Sequence, residues 1–304
     1  MLFVAMQCEL CGAVNSQPAL KGGDRLMGVP GVFALRRCLA CGTFGQDPVP
    51  GDDTLLSFYP LDYGPYQSGG ILSRLGAESG LRRRERHVDS LKLNAGSLLD
   101  VGCATGLFLD RMRRRGWRCV GVEFNPKIAQ RARDDFGLAV VTGTLETAQF
   151  PDAAIDLVTL WDVLEHVQSP RRTLLEIARV MRPGGWLVIR VPDPESLGAQ
   201  IFGRFWAGWD LPRHLWIAPR TALERALGEA GFCLKRTSAS SGRFSIFAAS
   251  VRYTARDRIK SVWIANAIAF VANSLIARVL TAPYFSASGA MGHGSMLTYF
   301  AQRQ

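Results

Sequence analysis

Histidine is scarce in this chain: only four occur in 304 residues. Imidazole chemistry therefore has few candidates. No internal repeat and no low-complexity tract is present, which argues against solenoids, arrays and tail-like linkers. No segment near the start has the basic flank and apolar length of a secretory signal, because Leu2-Phe3-Val4-Ala5-Met6 is too short. The cysteines number seven, an odd count, and four of them fall in two tight pairs. That is poor material for a disulfide framework and good material for a metal site in a reducing compartment. These absences lead to the expectation of a cytoplasmic protein.

Acidic residues are also in short supply, 26 against 36 Lys and Arg, for a formal net charge of +10. A basic surface favours anionic partners such as nucleic acid, anionic lipid or phosphorylated substrates. The runs Arg82-Arg83-Arg84 and Arg113-Arg114-Arg115 lie on predicted helices, where charge usually marks a solvated face. Hydrophobic residues at 48% and charged residues at 20% describe an ordinary folded chain. Its length suits one large α/β domain plus a small appendage.

Residues 1–48 are rich in Cys, Gly and turn formers, and Asp47-Pro48-Val49-Pro50-Gly51 reads as a linker. Residues 49–95 read as linker and helical cap, carrying Phe58, Tyr59, Tyr63 and Tyr66, and Gly96 closes them. A regular alternation follows. Leu98-Leu99-Asp100-Val101, Cys119-Val120-Gly121-Val122, Leu138-Ala139-Val140-Val141, residues 155–160 and Trp186-Leu187-Val188-Ile189 are predicted strands. Helices lie between them: one over 107–115, one capped by Asn125 and ended by Gly137, one opened by Ser169-Pro170. Thr221-Ala222-Leu223-Glu224 has capping-box form, Phe232-Cys233-Leu234-Lys235 is a sixth strand, and residues 295–300 are a seventh. The expected fold is a doubly wound, mostly parallel α/β sheet of seven strands over 96–304, preceded by the small module. Insertions are expected at 193–220 and 238–290.

The sharpest chemistry is in Asp100-Val101-Gly102-Cys103-Ala104-Thr105-Gly106, where the first strand gives way to a helix. Glycines there admit close approach of a ligand to backbone N–H groups at the helix start. Glu123 ends the second strand, at the separation where an acid meets a ribose. The glycine spacing does not fit Gly-x-Gly-x-x-Gly, and no Gly-Lys-Ser/Thr is present, so neither a dinucleotide loop nor a P-loop is indicated. S-adenosylmethionine (SAM) carries a ribose and a cationic amino-acid tail but no phosphate, and the acidic Asp100 suits it better.

This loop, with Gly121-Val122-Glu123, Phe150-Pro151, Asp156-Leu157-Val158 and Arg182-Pro183-Gly184-Gly185-Trp186, resembles the successive motifs of class I SAM-dependent methyltransferases over roughly residues 96–237. The resemblance implies that Asp100, Gly102, Cys103, Ala104 and Gly106 hold the methionine part of SAM and Glu123 the ribose. It implies that Phe124 flanks the adenine, that Thr144 and Leu145 meet its edge, and that Trp161 and Asp162 wall the methyl donor. Ala104 stands where glycine is frequent, and Thr144-Leu145 lacks the acid often found there.

Asp162-Val163-Leu164-Glu165-His166-Val167, followed by Trp206, Trp209-Asp210, Pro212-Arg213-His214 and Trp216, resembles the branch that includes ubiquinone-biosynthesis O-methyltransferases. A hydroxyl acceptor gains from a general base, for which His166 and His214 are the candidates; each also has a purely structural reading. The three tryptophans read either as packing or as part of an acceptor site. The implied acceptor is a small molecule, a sugar or another glycan-type or lipid-linked hydroxyl, or a quinone-like compound. An RNA methyltransferase and a non-catalytic SAM-binding protein are the alternatives.

Cys8-x-x-Cys11 and Cys38-x-x-Cys41, each followed by Gly, form a four-thiolate set that suits structural zinc. The other cysteines are expected to be buried and inert. Residues 261–277 carry no charge and are flanked by Arg258, Lys260 and Arg278. They read as one amphipathic helix, with Asn266 and Asn273 on its polar face. It either packs on the sheet as a lid, lies at a membrane interface, or spans a membrane.

Overall fold

The computed structural model describes residues 7–60, 63, 71–240 and 244–304. Tyr66 and residues 2–6 lie outside the described residues. The N-terminal part forms β1 (Ser16–Gly22), β2 (Phe33–Cys38) and β3 (Phe44–Gln46), then α1 (Asp52–Ser57) and the long α2 (Ile71–Asp89). The alternation follows as β4 (Ser97–Val101), α3 (Leu107–Arg114), β5 (Arg118–Glu123), α4 (Pro126–Phe136), β6 (Ala139–Thr142), β7 (Ile155–Trp161), α5 (Pro170–Val180) and β8 (Met181–Pro192). After α6 (Leu197–Phe202) come β9 (Trp216–Ile217), α7 (Arg220–Glu229) and β10 (Phe232–Ser240). Three helices, α8 (Phe244–Arg258), α9 (Val262–Ala272) and α10 (Leu275–Ala290), precede β11 (Met296–Arg303).

The seven-stranded sheet has the order β10-β11-β8-β7-β4-β5-β6. Strands β4 to β8 run parallel, and β11 lies antiparallel between β8 and β10. The central strands are apolar on both faces because helices cover both: Leu98, Leu99, Leu157, Val158, Leu187 and Val188 are all fully buried. The order reverses beside β4, where β5 leads one way and β7 the other. That is the switch point, where a crevice opens at the carboxyl ends of the strands.

Local signals explain most boundaries. Asn125 Oδ1 accepts from Lys127 N at 3.0 Å and caps α4, and Gly137 leaves it with φ +62°. Two caps differ from expectation. Ser169 makes no side-chain cap bond, and Pro170 alone sets the start of α5. The expected box at Thr221 and Glu224 does not form, because α7 starts at Arg220 behind Pro219. Arg220 N is satisfied instead by Glu195 Oε2 at 3.1 Å, so a tertiary acceptor replaces the local one.

The N-terminal residues are not a separate unit in space. β9, from the 193–220 insertion, pairs with β3 and completes a four-stranded sheet β1-β2-β3-β9. Trp206 and Trp216 are buried at this junction, and Trp209 packs edge-on against Phe44 of β3 at 4.9 Å. The tryptophans therefore serve packing between insertion and module. The apolar stretch is also two helices and not one: α9 and α10 meet at a 65° bend, with Ser274 capping α10 through Ala277 N at 3.1 Å.

Candidate active site

The loop between β4 and α3 is held by its own backbone. Gly102 N and Cys103 N both donate to Val122 O on β5, at 2.8 and 3.0 Å. Gly102, Ala104 and Gly106 all take positive φ, +68°, +50° and +79°. Ala104 thus adopts a conformation that glycine adopts more cheaply, and the loop keeps its shape. Cys103 turns inward, packing where a Cβ on Gly121 would come 2.5 Å from its sulfur. Burial pushes its thiol well up, so Cys103 offers a ligand only its backbone.

Asp100 ends β4 and Glu123 ends β5, and both are buried. Asp100 Oδ1 accepts from Thr159 Oγ1 at 2.6 Å. Burial pushes its carboxyl up to about 7, although the Thr159 bond favours the charged form. Glu123 accepts from Ala104 N and Asn125 N, each at 2.9 Å, which ties the loop to the second strand. Burial raises Glu123 too, against those bonds. Among the described residues neither acid has a salt-bridge partner. The pair is an unneutralised acidic floor at the switch point, suited to a ligand with cationic and hydroxyl groups.

Phe124 is partly exposed at the end of β5. Thr144 is tied into a local turn, its N donating to Thr147 Oγ1 at 3.0 Å. The Leu145 side chain is buried in the core. It can meet a ligand only through its backbone.

On the other wall, Trp161 ends β7 nearly buried, and its Nε1 has no hydrogen-bond partner among the described residues. His87 of α2 stacks on it at 6.1 Å, and the Arg84 guanidinium lies 5.6 Å from its ring. Burial, then the charges of Arg190 and Arg236, push His87 down to about 4. Asp162 follows with φ +62° and receives Arg190, whose Nε donates to Oδ1 at 2.6 Å. Asp162 therefore offers its carboxylate to a buried arginine and is not an open acid.

Past Asp162, Glu165, His166 and His214 come together, their ligand-capable atoms all within 4.8 Å of one another. Both Glu165 oxygens are buried without a hydrogen bond among the described residues. Burial and the Asp162 charge raise Glu165 well above the usual carboxylate range. His166 Nδ1 lies 2.9 Å from Arg213 O and 2.8 Å from Tyr59 Oη. His214 Nδ1 donates to Gly208 O at 2.8 Å, which leaves Nε2 facing Glu165 Oε1 at 3.9 Å and Asp210 Oδ2 at 4.0 Å. Burial pushes His166 down to about 3, helped by His214, and lowers His214 as well. Both imidazoles are neutral at pH 7. Glu165, Arg190, His87 and Tyr59 were not named as site residues from the sequence; Glu165 had a signal in its place beside His166 in the quoted motif, and Tyr59 was read only as part of the helical cap.

The four paired cysteines also converge. Cys8 and Cys41 Sγ lie 3.7 Å apart, and Cys11 and Cys38 Sγ 3.6 Å. The two knuckles match: Gly12 N donates to Cys8 O at 2.8 Å and Gly42 N to Cys38 O at 2.9 Å. In the second arginine run, Arg113 and Arg114 pair with Asp110 and Arg115 with Asp89.

A methyltransferase-domain family model matches residues 71–235. The ubiquinone biosynthesis O-methyltransferase of Maricaulis maris is 31% identical over 193 residues, 59% of this chain and 73% of that enzyme. The malonyl-[acyl-carrier protein] O-methyltransferase of Serratia marcescens is 32% identical over 43% of this chain and 53% of its own length. Some relatives are spanned less fully, including an uncharacterised transposon protein of Streptomyces fradiae, of which the chain covers 34%. Among solved structures, geranyl diphosphate C-methyltransferase from Streptomyces coelicolor, in complex with S-adenosylhomocysteine, shares the fold. Its TM-score is 0.51 and its identity 16%, over 77% of this chain and 80% of that one.

Proposed function

The chain belongs to the SAM-dependent methyltransferases, and from that premise we propose that it methylates a hydroxyl of a small acceptor bound between the loop after β7 and the 193–220 insertion. The acidic floor of Asp100 and Glu123 carries the cofactor half of this reading. SAM, when bound, supplies a methyl group on a cationic sulfonium. A buried pair of acids without a basic partner fits its ammonium and ribose hydroxyls, and the left-handed loop from Gly102 to Gly106 lets the chain pass close to it. Beyond the backbone N–H groups it accepts, the Glu123 carboxylate keeps acceptor capacity for a ribose hydroxyl. Phe124 would flank the adenine and the Leu145 backbone would meet its edge.

His214 is the base in this reading. Its Nδ1 proton is committed to Gly208 O, so in the neutral ring the lone pair sits on Nε2. Burial keeps the ring neutral, the state that can take a proton. A proton accepted there rests beside Glu165 and Asp210. His166 is a positioning residue: its hold on Arg213 O fixes the backbone next to His214. Most of the rate comes from lining the hydroxyl up with the methyl group.

We also propose a structural zinc in the four-cysteine set. A tetrahedron with Zn–S distances of about 2.3 Å has edges of about 3.8 Å, and the two short S···S distances fit it. All four positions would be filled by thiolates, so the ion builds the acceptor-side module and takes no part in methyl transfer.

Calorimetric titration with SAM and S-adenosylhomocysteine tests the core of this reading. Binding should weaken at least about tenfold in Glu123→Ala, a loss of about 1.4 kcal/mol. Folded protein that binds neither nucleoside refutes it.

A further inference from the structure

The helices between β10 and β11 carry their apolar residues on the outside. In α9 the packed face is alanine: Ala265, Ala269 and Ala272 are buried. The outward face holds Trp263 at 80% exposure and Phe270 at 81%, with Val262 and Val271 beside them. In α10 Ser288 is the buried residue, while Ile276, Val279 and Leu280 are each more than 70% exposed. An isolated exposed leucine needs no explanation, but a continuous cluster of this kind marks a docking surface.

Charge identifies what docks. No Asp or Glu occurs after Asp257, while exposed Arg256, Arg258, Lys260 and Arg278 border the apolar cluster. A second copy of the chain would bring this basic border against itself at a two-fold contact, with Asp257 as the one acid in it and that acid already paired with Arg204. An apolar centre ringed by cations matches a bilayer with anionic headgroups. Among the described residues no single helix is long and apolar enough to cross a membrane, and the pair that reaches the length together is bent by 65°. At about 1.5 Å per residue, α9 and α10 reach about 16 and 24 Å, short of the roughly 30 Å hydrocarbon core. The bend and the basic border favour an interfacial placement for the pair.

The position in the fold gives the contact a use. β10 ends and β11 begins at the sheet edge where β8 ends, with Met296 paired to Pro192, so the hairpin rises from the rim that carries the active site. Its root, α8, grips the acceptor-side insertion: Ala207 N donates to Ser250 Oγ at 2.9 Å, and Phe202 meets Phe247 at 5.5 Å. Its return is tied to the same insertion, Asp193 N donating to Ser295 O at 3.0 Å.

We propose that α9 and α10 form an interfacial hairpin that docks the enzyme on anionic lipid bilayers, with the acceptor-side insertion held at the membrane surface. The docking itself does not rest on the methyltransferase reading. The test is co-sedimentation of the full chain with vesicles of phosphatidylcholine alone and of phosphatidylcholine with phosphatidylglycerol, at low and high salt. Wild type should sediment with the anionic vesicles and lose that binding as salt screens the cations. Trp263→Asp with Phe270→Asp should lower partitioning by about tenfold or more. The same variant must keep its SAM affinity, which separates a lost docking surface from a lost fold. Absence of wild-type binding, or equal binding by the variant, overturns the proposal. So does a concentration-dependent dimer, seen by light scattering, that the variant dissolves while vesicle binding is absent.

Discussion

Arg213 and Asp24, 189 residues apart in sequence, form a two-pronged ion pair with both N–O distances at 2.8 Å and both side chains fully buried. Arg213 belongs to the acceptor-side insertion and Asp24 to the loop between β1 and β2. The pair rivets the cysteine module to the wall of the active site, one residue from His214.

Removing one partner of a buried pair leaves the other charged and unpaired. Asp24→Ala should cost about 3 kcal/mol of unfolding free energy, read as a lower denaturant midpoint. Asp210, which also bonds Arg213 at 2.8 Å, keeps the loss from being larger. An unchanged midpoint would show that the module does not depend on the rivet.

Asp100 should carry stability and binding in opposite directions. Its folded carboxyl is pushed up to about 7 by burial, while an unfolded aspartate ionises near pH 4. The folded state therefore holds a proton that the unfolded state loses. The contribution of Asp100 is fully present below about pH 4 and is lost as pH rises to about 7. Asp100→Asn should raise stability at pH 8 by about 1–3 kcal/mol and weaken SAM binding. In wild type, SAM affinity should rise with pH up to about 7, because the ligand's cation prefers the ionised acid. Calorimetry in buffers of different protonation enthalpy should show proton release.

The cysteine set should carry about one zinc ion per chain, measured by elemental analysis. Cys38→Ser should remove it and lower thermal stability, with loss of order in β1 to β3 seen by hydrogen exchange. Retained zinc in that variant would point to a different ligand set.

Gly121 lies inside the sheet, paired with Asp100 and Val140. A Cβ there would come 2.5 Å from Cys103 Sγ and 2.7 Å from Leu109 Cδ1. Gly121→Ala should cost about 1–3 kcal/mol and weaken SAM binding by pushing the loop outward. Adding Cys103→Ala should recover part of both losses, the mark of two coupled sites.

His214→Asn should depress kcat while leaving SAM affinity within about twofold, once an acceptor is in hand. His166→Ala should lower kcat, and His166→Asn, whose amide can replace Nδ1 as the donor to Arg213 O, should recover it, because His166 positions and does not transfer protons.

The order of strands and helices from β4 to β8 was legible because each element carries its own local signal: apolar runs for buried strands, Asn125 and Gly137 for the ends of α4, glycines for the loop. The placement of the two acids at the switch point was legible for the same reason, since Asp100 and Glu123 lie near the ends of adjacent parallel strands. One other feature looked right and was not: the box at Thr221 lost to Glu195, an acceptor distant in sequence. Of the two readings of the tryptophans, packing against the module is the one the structure shows. Residues 261–277 read as one helix with a polar face of asparagines, because periodicity does not reveal which face meets protein.

By itself, then, the sequence determined the sheet, the loop at its switch point and the two thiol knuckles, all set by residues close together along the chain. Only the tertiary structure decided that β9 closes the N-terminal sheet, that Asp24 reaches Arg213, that His214 faces Glu165, and that the hairpin turns its aromatic side outward. Each of these depends on surfaces meeting across long stretches of chain. Such contacts are selected by shape and by the cost of burying unpaired charge, and neither leaves a period or a spacing to read.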